Sequence, residues 1–173
     1  MSLAVQPQLL PPAQLDALDR STADQLLTEW GHYLGPCRRP FGVEAWGLFV
    51  AGKPVSLAVS ASIVSSTVAA YARGEVVELA RLCSAPSAAW ATRVMLRLWR
   101  EACPWSYWPV RAAVAYSASD RHEGRIYRFD GWRHAADSAG SSGGGQWTAP
   151  RGEGHAARGP KRVWVYDYEG GRR

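Results

Sequence analysis

Hydrophobic and polar positions change period several times along the chain, and each change marks an element. In "STADQLLTEWG", Leu26, Leu27 and Trp30 share one helical face, Ser21 and Asp24 stand where a capping box stands, and Gly31 supplies a stop. The pattern predicts an amphipathic helix over 21–31, with room for a shorter one at 12–20. Before it, residues 1–12 alternate Gln, Pro and Leu without a period and read as a flexible N-terminal arm; 13–173 read as one domain. "EAWGLFV" and "VSLAVSASIV" are β-prone runs joined by "AGKP", a hairpin. In the second run Val55, Leu57, Val59, Ala61 and Ile63 alternate with Ser56, Ala58, Ser60 and Ser62. The small polar face suits a cleft floor or solvent, and solvent is the expectation from periodicity alone.

"GEVVELARLCS" reads as a third strand. Strict alternation places Arg81 with Val77, Leu79 and Cys83, and Glu78 opposite with Val76, Ala80 and Leu82. Each charge then sits on an apolar face and must find a partner, a substrate or water, because burying a lone charge costs several kcal/mol. After the loop "APSA", "WATRVMLRLWREAC" reads as a helix. Ala91, Val94, Met95, Leu98 and Ala102 form its apolar stripe, and Arg93, Arg97 and Arg100 a solvated row. "PVRAAVAYS" is a short apolar strand and "DRHEGRIYRFDG" a short helix entered near Asp120 and ended at Gly131. "WRHAADS" and "KRVWVYDY" are two more strands, with "AGSSGGG" a flexible tip between them.

The order is helix, three strands, helix, strand, helix, two strands. It predicts an α/β fold: a mixed, largely antiparallel central sheet flanked by helices, with a βαβ unit over 75–117 whose helix N-terminus is a natural anion site. Composition fits that size. A chain of 173 residues, 47% of them hydrophobic, buries one core rather than two. No run reaches the roughly 20 apolar residues of a membrane span, and no signal-peptide pattern opens the chain, so a soluble, cytoplasmic protein with no membrane partner is expected. Cys37, Cys83 and Cys103 form no Cys-x-x-Cys pair and read as free thiols; His32, His122, His134 and His155 never stand at i, i+4, so no metal site is expected. The net charge of +5 permits contact with a polyanion, and the nine tryptophans add slightly to a nucleic-acid reading.

The order of elements resembles the GNAT acyltransferase fold. Within that superfamily, "HYLGP", "ELARLC", "SASDRHEGRIYRFDGW" and "GPKRVWVY" look like segments of the phage Mom DNA-modification family and its bacterial relatives. The residues that carry the likeness are His32-Tyr33, Glu78 to Leu82, Ser117 with Asp120, Gly124 to Tyr127, and Trp132, spanning roughly 32–168. The resemblance implies carbamoylmethylation of the exocyclic amine of adenine in DNA, with DNA as partner and acetyl-CoA or a related acyl-CoA as donor. Two departures stand out. "SAPSAAWATR" has no glycine where ordinary GNAT enzymes carry an Arg-x-x-Gly-x-Gly/Ala pyrophosphate loop, and Gly131 stands where the family often has Asn.

The candidate catalytic residues are Arg81, Asp120, Tyr127, His32, Tyr33 and Ser117; Ser84, Ala91, Thr92 and Arg93, at the predicted helix start, are the donor-binding candidates. Arg81 presents a bidentate fork to a carbonyl, carboxylate or phosphate, a role favoured here over an ion pair with Glu78. Asp120 is a base or orienting group, or simply the N-cap of the following helix. Ser117 offers a hydrogen bond at a strand end. Tyr127 stands where GNAT enzymes often place a general acid, and reads equally as a core tyrosine. His32 is a base, or a group closing the first helix. A transferase acting on a DNA amine is expected, with a GNAT enzyme for small-molecule or protein amines, or a non-catalytic nucleic-acid binder, as alternatives.

Overall fold

The computed structural model describes residues 12–102, 110–139 and 159–172. Its elements run β1 (Ala13–Leu18), α1 (Arg20–Glu29), β2 (Glu44–Val50), β3 (Lys53–Ala61), β4 (Thr67–Val68), β5 (Tyr71–Ala72), β6 (Val76–Ser84), α2 (Ala91–Ala102), β7 (Val110–Ala118), α3 (Arg125–Phe129), β8 (Arg133–Ser138) and β9 (Lys161–Arg172). Seven strands form one sheet in the order β1-β2-β3-β6-β7-β9-β8, while β4 and β5 pair separately. Within the large sheet only β6–β7 is parallel. The expected mixed, largely antiparallel sheet is therefore the fold. The arm at 1–11, Cys103, His155 and most of the "AGSSGGG" tip lie outside the described residues.

The segment 12–20 is a strand, not a short helix. Leu15 and Leu18 are three apart, which suits a helix, but β1 pairs antiparallel with β2 from Ala13↔Val50 to Leu18↔Ala45. In that strand the two leucines point to opposite faces and each joins a different core cluster. Helix α1 begins one residue earlier than expected because Asp19, not Ser21, caps it, accepting from Thr22 N at 2.9 Å. Its other end is a Schellman closure: Gly31, at φ +68°, donates to Thr28 O and His32 N donates to Leu27 O.

Helices cover both faces of the sheet. On one, Ala91, Met95, Leu96 and Trp99 of α2 pack with Leu79, Ala113, Ala115, Tyr127, Trp132 and Trp164. On the other, Ala23, Leu26 and Leu27 of α1 pack with Leu57, Val59 and Ala61. Each large side chain sealed this way contributes on the order of 1.5–3 kcal/mol. The buried stripe of α2 is rotated from the predicted one: Val94 is exposed while Trp99 is enclosed, and Arg100, expected in the solvated row, is buried. Arg100 forms a bidentate pair with Asp130 at 2.8 and 3.2 Å and lies 4.0 Å from the Tyr166 ring centroid, so the charge is compensated inside the fold.

The polar face of β3 is buried rather than solvated. Ser56 and Ser60 are sealed beneath α2, where Trp99 Nε1 donates to Ser60 Oγ at 2.8 Å and Ser56 Oγ donates to Cys83 O at 2.8 Å. Small hydroxyls let α2 approach closely and also satisfy a buried indole N–H. In β6, alternation fails at one residue. Val59 faces Arg81 but Ser60 faces Leu79, so Ala80 is an extra, bulged residue. Leu79 and Leu82, three apart, consequently both join the α2-side cluster, and Arg81 turns to the α1 side with Glu78.

Candidate functional site

The parallel pair β6–β7 is in register only from Val76↔Ala112 to Leu79↔Ala115. From the bulge onward β6 follows β3 and β7 follows β9, and the strands part. A cleft of about 1050 Å³ opens in the gap, at the upper end of the range for small-molecule sites. The β6 backbone from Leu79 to Ser84 and the end of β7 at Tyr116 and Ser117 line it. On the α2 side it is closed by Thr92 and Arg93; on the α1 side by Trp30, His32 and Tyr33; and at one end by the turn and helix from Arg121 to Tyr127.

Tyr127 is buried, stacked on Trp164 at 5.7 Å and edge-on to Trp132 at 5.4 Å. Burial raises its hydroxyl well above the usual range, so it keeps its proton at neutral pH. Among the described residues no hydrogen bond holds that hydroxyl. Ser117, by contrast, is committed: its Oγ accepts from Trp164 Nε1 at 2.9 Å. Gly124, at φ +71°, opens α3 directly against the Trp164 ring.

The α1 side is an aromatic wall. His32 stacks on Tyr33 at 5.2 Å, His122 meets Tyr33 edge-on at 6.1 Å, and the Arg121 guanidinium lies 5.4 Å from the Tyr33 centroid. Burial, then the charge of Arg81, then His122 lower the His32 pKa to about 4. His32 Nδ1 accepts from Leu34 N at 3.2 Å, so the neutral ring carries its proton on Nε2. That tautomer leaves Nε2–H as a donor, while Nδ1 accepts from the chain just beyond α1, as the helix-end reading of His32 expected. Burial also raises the Tyr33 hydroxyl.

Arg81 lines the cleft but does not pair with Glu78. Its Nε donates to Gly35 O at 2.8 Å, Nη2 to Pro36 O at 3.1 Å and Nη1 to Ala80 O at 2.7 Å. Glu78 is taken by Arg39 instead. Burial dominates at Glu78 and raises its carboxyl, and Oε2 has no hydrogen-bond partner among the described residues.

Asp120 is exposed and does not line the cleft. Arg121 N and His122 N both donate to Ala118 O, a turn that carries Asp120 outward beside Gly159 and leaves Gly124 as the cap of α3. Among the donor-binding candidates, Thr92 and Arg93 face the cleft, and Ser84 lines it with a hydroxyl shared between Ser56 at 2.7 Å and Thr92 at 2.8 Å. The Ala91 side chain is fully buried core. Sequence reasoning missed Arg121, His122 and Tyr116 as lining residues. Arg121 and His122 lie within the "SASDRHEG" run, whose turn geometry carries no periodic signal. Among the described residues no three His, Cys, Asp or Glu side chains gather as a metal group, and no helix is long and apolar enough to cross a membrane.

Solved acetyltransferase structures share this arrangement of elements. The chain aligns with a ribosomal-protein-S18-alanine N-acetyltransferase from Escherichia coli at TM-score 0.57 and 9% identity, covering 90% of this chain and 94% of that one. The fold is that of the GNAT acetyltransferases. A mutant spermidine N-acetyltransferase from Vibrio cholerae aligns at TM-score 0.59 and 10% identity over 90% and 93% of the two chains. An aminoglycoside N(6')acetyltransferase from Legionella pneumophila aligns at 0.57 and 10% over 91% and 93%. No family model matches the sequence and no curated protein matches it, so the resemblance to the Mom family gains no support from either comparison.

Proposed function

We propose that the GNAT-fold cleft is the active site of an acyl-CoA-dependent N-acyltransferase acting on an amine. The observation that carries this reading is the parting of β6 and β7 beyond Leu79. It leaves one strand edge open to a ligand, with the α2 N-terminus on one side and the Tyr127 hydroxyl in the same cleft. The residues present fit the donor. Thr92, Arg93 and the first amides of α2 would hold its pyrophosphate. Because the 84–90 loop lacks glycine, that grip rests on helix amides and the Arg93 charge rather than on a close loop. When bound, acyl-CoA supplies an acyl group activated as a thioester.

The chain's own residues do the rest. Tyr127, protonated at neutral pH and without a protein hydrogen bond to its hydroxyl among the described residues, is the general acid for the departing thiolate. His32 Nε2–H, beside Tyr33 and His122, would donate to a polar group of the acceptor other than the attacking nitrogen. The proton that the amine loses on forming the amide passes to solvent in the cleft and so replaces the one Tyr127 gives to the thiolate. Ser117 and Trp164 hold the Tyr127 ring in place. Within this class the adenine amine of DNA is the finer reading, supported by the Mom resemblance and the net charge of +5.

Calorimetry with coenzyme A and a thiol-release assay over a panel of amines test the proposal. Tyr127→Phe is expected to lower kcat by about 100-fold with unchanged donor affinity and a stability change below about 0.5 kcal/mol. Absence of both coenzyme A binding and acyl transfer would sink the reading. Mass spectrometry of nucleosides from treated DNA tests the finer one.

A further inference from the structure

We propose that Arg81 is a positioning residue: by clamping the turn at Gly35 and Pro36 to strand β6, it fixes His32 and Tyr33 as the acceptor-side wall of the cleft. The inference rests on the acyltransferase reading of that cleft.

The geometry begins with the Ala80 bulge, which turns Arg81 away from α2 and toward the chain that leaves α1. There its guanidinium is used as a three-way tie. Of the five N–H bonds an arginine carries, one each from Nε, Nη1 and Nη2 reaches a backbone carbonyl. Two of those carbonyls, Gly35 and Pro36, belong to the turn that runs from α1 to Cys37, whose N–H donates to Asp24 Oδ1 and whose carbonyl accepts from Arg20 Nη2. Gly35 sits at φ +58° and donates to His32 O at 2.7 Å. The turn is thus set at one end by the Schellman closure of α1 and at the other by Cys37, while Arg81 ties Gly35 and Pro36, between them, to β6, and His32 and Tyr33 lie near the first end. Among the described residues Arg81 has no ion pair, because Arg39 has taken Glu78. Its fork is therefore directed at the turn.

The wall faces the acceptor because the donor-side groups, Thr92 and Arg93, belong to α2 on the opposite face of the sheet. A displaced wall misplaces the amine while leaving the donor's anchor untouched.

The test uses the full chain with Arg81→Lys, which keeps the charge but loses the fork, and Arg81→Met, which loses both. The first readout is the His32 ring titration by NMR. Arg81 from β6 and His122 from the turn after β7 act on that ring, which stacks on Tyr33, while Arg121 lies over the Tyr33 ring. Burial, then the charges of Arg81 and His122, lower the His32 pKa to about 4 in the wild type. Loosening the clamp exposes the ring, so in Arg81→Lys the titration moves toward 6.5 although the positive charge remains. The second readout is kinetic: the acceptor KM rises about 10-fold or more, while coenzyme A affinity stays within about twofold.

An unmoved His32 titration in Arg81→Lys overturns the proposal, as does a loss of donor affinity with an unchanged acceptor KM. If the protein transfers no acyl group, the titration still decides the clamp, so the two failures are told apart. Should the variants fail to fold, exchange of the Arg81 Nε–H in the wild type serves instead: slow exchange supports the clamp, and exchange at the free-arginine rate refutes it.

Discussion

Replacing Gly124 by alanine drives a methyl group into Trp164. A Cβ at that position would stand 2.2 Å from Cζ2, 2.5 Å from Cε2 and 2.8 Å from Nε1 of the indole, so the ring must move by more than 1 Å to reach ordinary contact. It has little freedom to do so. Trp164 is 2% exposed, its N–H is bonded to Ser117 Oγ at 2.9 Å, and one face is stacked on Tyr127. Retreat sacrifices a hydrogen bond worth about 1 kcal/mol and aromatic packing worth about 0.5–1.5 kcal/mol. Holding alanine at φ +71° adds about 1–2 kcal/mol. The expected loss is about 2.5–4.5 kcal/mol, at or above the roughly 1–3 typical of an overpacked interior, which lowers Tm by roughly 10 °C in a chain of this size. Urea titration followed by far-UV circular dichroism, with scanning calorimetry for Tm, measures it. Adding Trp164→Phe, which removes the colliding ring, should recover part of the loss, with a coupling of at least about 1 kcal/mol in the double-mutant cycle. A cost below about 1 kcal/mol for the single variant would refute the picture of Trp164 as a fixed wall between β9 and α3.

Other expectations concern different parts of the fold. Asp130→Ala removes the bidentate carboxylate partner of the Arg100 guanidinium, 5% exposed, and should cost about 2–4 kcal/mol by chemical denaturation. His32 has a folded pKa near 4, below its unfolded value of 6.5, so the unfolded chain takes up a proton first as pH falls; this contribution is complete above 6.5 and lost progressively down to about 4. Stability measured at pH 7 and pH 5 should therefore differ by about 1–2 kcal/mol more in the wild type than in His32→Gln. Ala51 and Gly52 form the β2–β3 turn with φ +49° and +74°, so Ala51→Asn should raise stability by about 0.5–1 kcal/mol in a thermal melt.

Periodicity alone determined much of the architecture. The strands at 44–50, 53–61, 76–84, 110–118 and 133–138 and the helix at 91–102 are all legible in one dimension. Apolar spacing is a local property, and in all of them but 133–138, where no residue is buried, it marks positions that must be buried whatever the neighbours are. The mixed sheet and the GNAT resemblance followed from their order. Among site residues, Tyr127, His32, Tyr33, Ser117, Thr92 and Arg93 reach the cleft, since strand ends and helix starts beside a parting sheet are where a ligand can enter.

What only the tertiary structure decided has a common cause: pairing between distant segments. Ser56 and Ser60 look solvated until Trp99, some 40 residues away, arrives with an indole N–H that needs an acceptor. The segment 13–18 has helical spacing and becomes a strand because the β2 edge offers it hydrogen bonds along its whole length. A single bulged residue, Ala80, reverses the side on which Arg81 projects and converts a presumed anion fork into a tie on a turn. Asp120 is the local exception: it leaves the cleft because Ala118 O captures two amides three and four residues on. A register shift of one residue has no signature in hydrophobic pattern, yet it decides which face every later side chain meets.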